Sequence, residues 1–163
     1  MGSGDTLLIF HPYNNEPPAS NFMTLDTRNL HPCLDADATT DESAVFSAVM
    51  PQSYAGGGVT AYHHIAMSSA EADTIDIDGS WERIGDQQQD IDGDGFAAVQ
   101  STDNTTVPGT TGLVDIIAIA FTNGAQMDSI VAGESFRYKF TRDATNDDAA
   151  GDMELYKIEI RET

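Results

Sequence analysis

The feature that most constrains this chain is an alternation of apolar and polar residues with period two, recurring from end to end. Between Thr74 and Glu82, Ile75, Ile77, Gly79 and Trp81 fall on one side, and Asp76, Asp78, Ser80 and Glu82 on the other. That spacing belongs to a strand with one dry and one wet face. Ser135 to Arg142 repeats it, with Phe136, Tyr138 and Phe140 against Arg137, Lys139 and Thr141. Near the C-terminus Tyr156, Ile158 and Ile160 oppose Lys157, Glu159 and Arg161. Further runs at Thr6–Phe10, Phe22–Asp26, Ala44–Met50 and Val59–Met67 are bounded by Gly, Pro, Asn or Asp, which supply turn geometry. The runs predict an all-β, antiparallel sandwich of jelly-roll type with about eight strands. It is read as one domain over residues 1–163, with residues 1–18 as an N-terminal arm. Only short helical turns are expected, at 96–100 and 124–130, and residues 85–112 read as one long irregular loop.

Leu113 to Phe121 departs from the pattern. Leu113, Ile117, Ile119 and Phe121 make one face, while Val114, Ile116, Ala118 and Ala120 make a second apolar face. A strand apolar on both sides needs cover on both sides. Either a loop lies over the outer row or a neighbouring subunit does, which makes Leu113, Val114, Ile116, Ala118 and Ala120 a candidate interface.

Charge narrows the partners. The 163 residues include 27 acidic and 7 basic ones, a formal net charge of −20. Such a body repels phosphate backbones and anionic lipid surfaces, so neither nucleic acid nor membrane is an expected partner. Two origins for the acidity stay open, adaptation to salty water and life on the outside of a large particle. The opening MGSGDTLL has no basic segment and no long apolar run, and nowhere do ~20 apolar residues follow one another. A soluble protein made in the cytoplasm is expected.

The sequence shows no reacting centre, and the chain is read as not an enzyme. Cys33, the single cysteine, stands among apolar neighbours and reads as a buried thiol. His63 and His64 point to opposite faces of a strand and, with His11 and His31, show no metal-ligand spacing. The strongest local motif is Asp90-Ile91-Asp92-Gly93-Asp94-Gly95, whose Asp90, Asp92 and Asp94 match the opening of a calcium loop. Its twelfth position is Ser101 instead of the bidentate Glu, so a solvated acidic turn is the competing reading. No cofactor is expected beyond that candidate calcium. Trp81, in line with Ile75 and Ile77, reads as core.

Several stretches taken together carry a resemblance: GDTLLIFHPYNNEPP, TLDTRNLHPCLDAD, ESAVFSAVMPQSYAGGG, WERIG, FTNGAQMDSIVAGESFRYKFTRD and ELYKIEIRE. They resemble small jelly-roll virion proteins of tailed bacteriophages. That resemblance implies a capsid decoration (cement) protein on the head exterior, binding the major capsid protein and itself as a homotrimer. The alternative is a carbohydrate- or receptor-binding sandwich on a tail or fibre, drawing on Tyr54 and Tyr62 as exposed aromatics.

Overall fold

The computed structural model describes residues 4–69 and 72–163. It is an all-β sandwich of ten strands in two antiparallel sheets. In chain order the strands are β1 (Thr6–Phe10), β2 (Thr24–Arg28), β3 (His31–Ala36), β4 (Glu42–Val49) and β5 (Gly58–Met67), then β6 (Thr74–Ile84), β7 (Gln100–Thr106), β8 (Asp115–Thr122), β9 (Ser135–Arg142) and β10 (Met153–Glu162). The larger sheet runs β2-β3-β10-β5-β8, with β1 also paired to β10; the smaller runs β4-β9-β6-β7.

The dry faces of both sheets meet in one core. Ile75, Ile77 and Trp81 of β6 and Phe136, Tyr138 and Phe140 of β9 are fully buried, as the alternation predicts. Trp81 sits 4.9 Å from the rings of both Phe136 and Tyr138, and edge-on to Phe121 at 5.9 Å. Gly79 makes this packing fit, because a Cβ there would lie 2.5 Å from the Tyr138 hydroxyl and 2.7 Å from the Phe121 ring. Truncating Trp81 to Ala would cost about 3–5 kcal/mol by the usual transfer and cavity terms.

Three expectations need correction. Strands β3 and β7 lie where no run was predicted, and β7 divides the expected loop 85–112. Residues 96–100 and 124–130 form no helix; the helical element found among the described residues is a 3-10 turn at Pro12–Asn14. The N-terminal segment is no free arm from Thr6 onward, since β1 is hydrogen-bonded along β10 and Asn15 bridges to Phe46. Residues 1–3 of the expected arm lie outside the described residues.

The doubly apolar strand resolves cleanly. Ile117, Ile119 and Phe121 point into the core, whereas Ile116 is 51% exposed and Ala118 and Ala120 are exposed beside it. Leu113 and Val114 precede β8 and are also exposed, so Leu113 does not share the buried face.

Candidate functional site

The site arises from how β10 is shared. One edge of β10 pairs with β5 along its length. The other edge is divided: β3 takes Met153 to Leu155 and β1 takes Ile158 to Thr6's partner Arg161. Tyr156 and Lys157 fall in the gap between them. At the same place the β5 pairing skips a residue, with Leu155 opposite Ile65 but Lys157 opposite His64. A bulge of this kind adds one residue and re-aims the side chains beside it. It moves Tyr156 off the dry face, where simple alternation with Ile158 and Ile160 would put it, onto the open face of the larger sheet.

Around this gap the chain builds a groove of about 670 Å³. His11, Pro12 and Tyr13, in and beside the 3-10 turn after β1, form one wall; Arg28, Asn29, His31 and Pro32, at the β2–β3 turn, supply another. Gly112 and Val114 approach from the segment before β8, and His64, Tyr156 and Lys157 form the floor. Gly112 has φ +77, and a Cβ there would sit 3.1 Å from Arg28 Nη2, so glycine lets the guanidinium lie across the wall.

The polar groups under the groove are already ordered. Arg28 Nη1 donates to Glu154 Oε2 at 2.7 Å and to the Met67 carbonyl at 3.1 Å. The Tyr156 hydroxyl donates to the same Glu154 oxygen at 2.8 Å. Burial and the Glu154 carboxylate both push the Tyr156 phenol upward, so it remains a hydrogen-bond donor at any ordinary pH. Burial, with help from Lys157 and Arg161, lowers His64 despite the opposing Glu159, so its ring is neutral at pH 7. One nitrogen then donates and the other accepts.

These residues supply two accessible aromatic rings, Tyr13 being 71% exposed, surrounded by donors on Asn29, His31, His64 and Lys157. The arrangement suits recognition of a polyhydroxylated chain, with ring faces for its apolar patches and donors for its oxygens. Cys33 lies beneath the same face but is 1% exposed, and burial pushes its thiol up to about 11, so it is inert there.

Other candidates from the sequence fall elsewhere. Tyr54 is 5% exposed, its hydroxyl against the Met127 sulfur, and so is no exposed aromatic. Tyr62 lies on the open face with the Arg161 guanidinium 4.2 Å above its ring, which leaves that face covered. Asp90, Asp92 and Asp94 are exposed in the β6–β7 connection. There Asp90 closes the turn on itself, its side chain accepting from Asp92 N–H and its carbonyl from Gly93 and Asp94 N–H. Among the described residues no three His, Cys, Asp or Glu side chains converge to hold a metal. The groove was missed because its floor depends on a bulge and its walls on two short turns. His11, Arg28 and Tyr156 share no spacing in the chain that could have joined them.

Comparison with known proteins places this architecture in a class. No protein-family model matches the chain, and no curated protein matches it either. Solved structures do share its fold. A family 35 carbohydrate binding module from an environmental isolate superposes with a TM-score of 0.55 at 8% identity, over 94% of this chain and 92% of that one. The carbohydrate-binding module CBM36, in complex with calcium and xylotriose, does so at 0.50 and 14% identity, over 94% and 99%. The chain therefore has the jelly-roll sandwich fold seen in carbohydrate-binding modules.

Proposed function

We propose that this chain is a non-catalytic carbohydrate-binding sandwich that lays a sugar chain in the groove on the open face of its larger sheet. The observation that carries the reading is the pair of accessible tyrosines, Tyr13 and Tyr156, set among side-chain donors in an open groove of about 670 Å³. The fold neighbours support it, one of them holding xylotriose, but one fold hosts many functions and the groove has to make the case. The neighbour's calcium does not transfer readily, because Asp90, Asp92 and Asp94 do not converge.

Isothermal titration against neutral xylo-, manno- and galacto-oligosaccharides tests the proposal. Binding is expected for at least one series, about tenfold weaker in Tyr156→Ala and retained in Tyr156→Phe, which keeps the ring but loses the bond to Glu154. Chelation by EDTA leaves it unchanged. A protein that retards none of these sugars at millimolar concentration would end the reading.

A second reading keeps its own support. The exposed row Val114, Ile116, Ala118 and Ala120 has no loop over it among the described residues and is the kind of face a neighbouring subunit covers. It supports a contact with another subunit; in the virion role that contact would hold the chain on a phage head as a homotrimer clamping the major capsid protein. Light scattering and addition to undecorated heads test that role, and a monomer that fails to bind heads would sink it. Both readings can hold on one particle.

A further inference from the structure

The basic residues of this acidic chain are almost all committed. Arg28, Arg83, Arg137, Arg142 and Arg161 each pair with a carboxylate: Glu154, Glu134, Glu82, Asp147 and Glu159. Lys139 lies over the Phe96 ring, 4.9 Å from its centroid. Lys157 alone of the seven has neither an acidic partner nor a ring among the described residues, and it is exposed on the groove floor.

The groove wall is the inverse of the rest of the surface. Of 163 residues 27 are acidic, yet among the described residues none that lines the groove is Asp or Glu. Three of the four histidines and two of the seven Lys and Arg are there instead. Arg28 is neutralised by Glu154, and Glu159 is held by Arg161 and Thr6. A free ammonium in a wall cleared of carboxylates is an unfilled anion contact.

We propose that the groove selects a sugar chain bearing an anionic substituent, a carboxylate or a sulfate, received by the Lys157 ammonium. This rests on the groove being the glycan site. The arrangement favours a chain with one acid group among several neutral sugars. Contact at Lys157 is short-range, whereas a polyanion would also meet the field of a body carrying −20.

The experiment compares xylotriose with xylotriose carrying a single glucuronic acid and with a singly sulfated xylotriose, by titration calorimetry on the full chain. An acidic form is expected to bind about tenfold tighter than the neutral one, the order of one charge-assisted hydrogen bond. Whether the carboxylate or the sulfate form gains identifies the group, and a gain by either supports the proposal. In Lys157→Met the acidic-to-neutral ratio is expected to fall to about one, and in Lys157→Arg to persist. Lys139→Met, with the same change in net charge on the opposite sheet, keeps the ratio. Equal binding of all three sugars by the unaltered chain, or a ratio that survives Lys157→Met, overturns this proposal and leaves glycan binding standing. Failure of all three to bind removes both.

Discussion

His63 is fully buried between the sheets, stacked 4.4 Å from the Phe140 ring. Its Nδ1 is 3.0 Å from the Ile117 carbonyl and its Nε2 is 2.8 Å from the Tyr138 hydroxyl. Nδ1 therefore carries the proton and donates, and Nε2 accepts from the phenol, a pattern only the neutral ring can make. Burial lowers the ring to about 4, against an ordinary 6.5. Between those values the unfolded chain binds the extra proton, so this term of stability is fully present above 6.5 and is lost as pH falls toward 4. At ~1.4 kcal/mol per unit it is worth about 3 kcal/mol. Asp35 acts with the opposite sign. Burial first, and then Asp152 and Glu154, push it up to about 6, so its contribution is present at low pH and is lost as pH rises through 6. The two slopes oppose each other across most of the same window. Replacing His63 by Gln separates them: the mutational cost read from urea unfolding should be about 2–3 kcal/mol larger at pH 7 than near pH 4. A cost independent of pH would mean that the ring titrates in the fold as it does in the unfolded chain.

At the scale of elements, the β2–β3 hairpin that walls the groove turns on Asn29 (φ 46) and Leu30 (φ 66), both left-handed. A two-residue turn of this hand suits Asn followed by Gly. Leu30 is 91% exposed, so packing returns nothing for its conformation. Leu30→Gly should stabilise the protein by about 1 kcal/mol, the usual penalty of the left-handed region for a side chain, seen as a higher melting temperature. Unchanged or lower stability would show that the left-handed turn costs Leu30 nothing net. The same hairpin shows what the sequence could not reveal. β6 and β9 were legible because apolar and polar residues alternate along each, although the polar side of β6 is not the wet face the alternation predicts, since Asp76, Ser80 and Glu82 are buried. β3 (HPCLDA) was not, because Cys33 and Leu34 are buried on opposite faces and Pro32 reads as a break. β7 (QSTDNTT) is an edge strand without an apolar residue, placed by its ladder to β6 and not by any face of its own. Tyr156 was assigned to the wrong face for a third reason: a bulge is a property of two strands in register, and only one of them is visible in a local pattern.

At the scale of the whole molecule, the balance of charge sets how the fold meets its solvent. Five ion pairs engage all five arginines, and 27 acidic residues against 7 basic ones leave carboxylates in large excess. Where those carboxylates crowd, as Asp78 does with Asp143, Asp103 and Asp41, burial and then their mutual repulsion raise the Asp78 carboxyl. Such repulsion acts over distances comparable to the ~10 Å screening length at 0.1 M salt, and added ions weaken it. The pair most needed by the fold is out of their reach. The side chains of Arg142 and Asp147 are 0% and 1% exposed, and the guanidinium also donates to the carbonyls of Ala36, Ala149 and Gly151, tying the end of β3 to the β9–β10 connection. Salt therefore screens the destabilising term at the surface and spares the stabilising one inside. Raising sodium chloride from about 20 mM to about 0.5 M should raise the melting temperature by several degrees, the reverse of a fold held by exposed salt bridges. Thermal melts followed by circular dichroism at fixed pH decide it. A melting temperature that is flat or falls with salt would mean that the partly exposed pairs Arg137–Glu82 and Arg161–Glu159 outweigh the repulsion among the surface carboxylates.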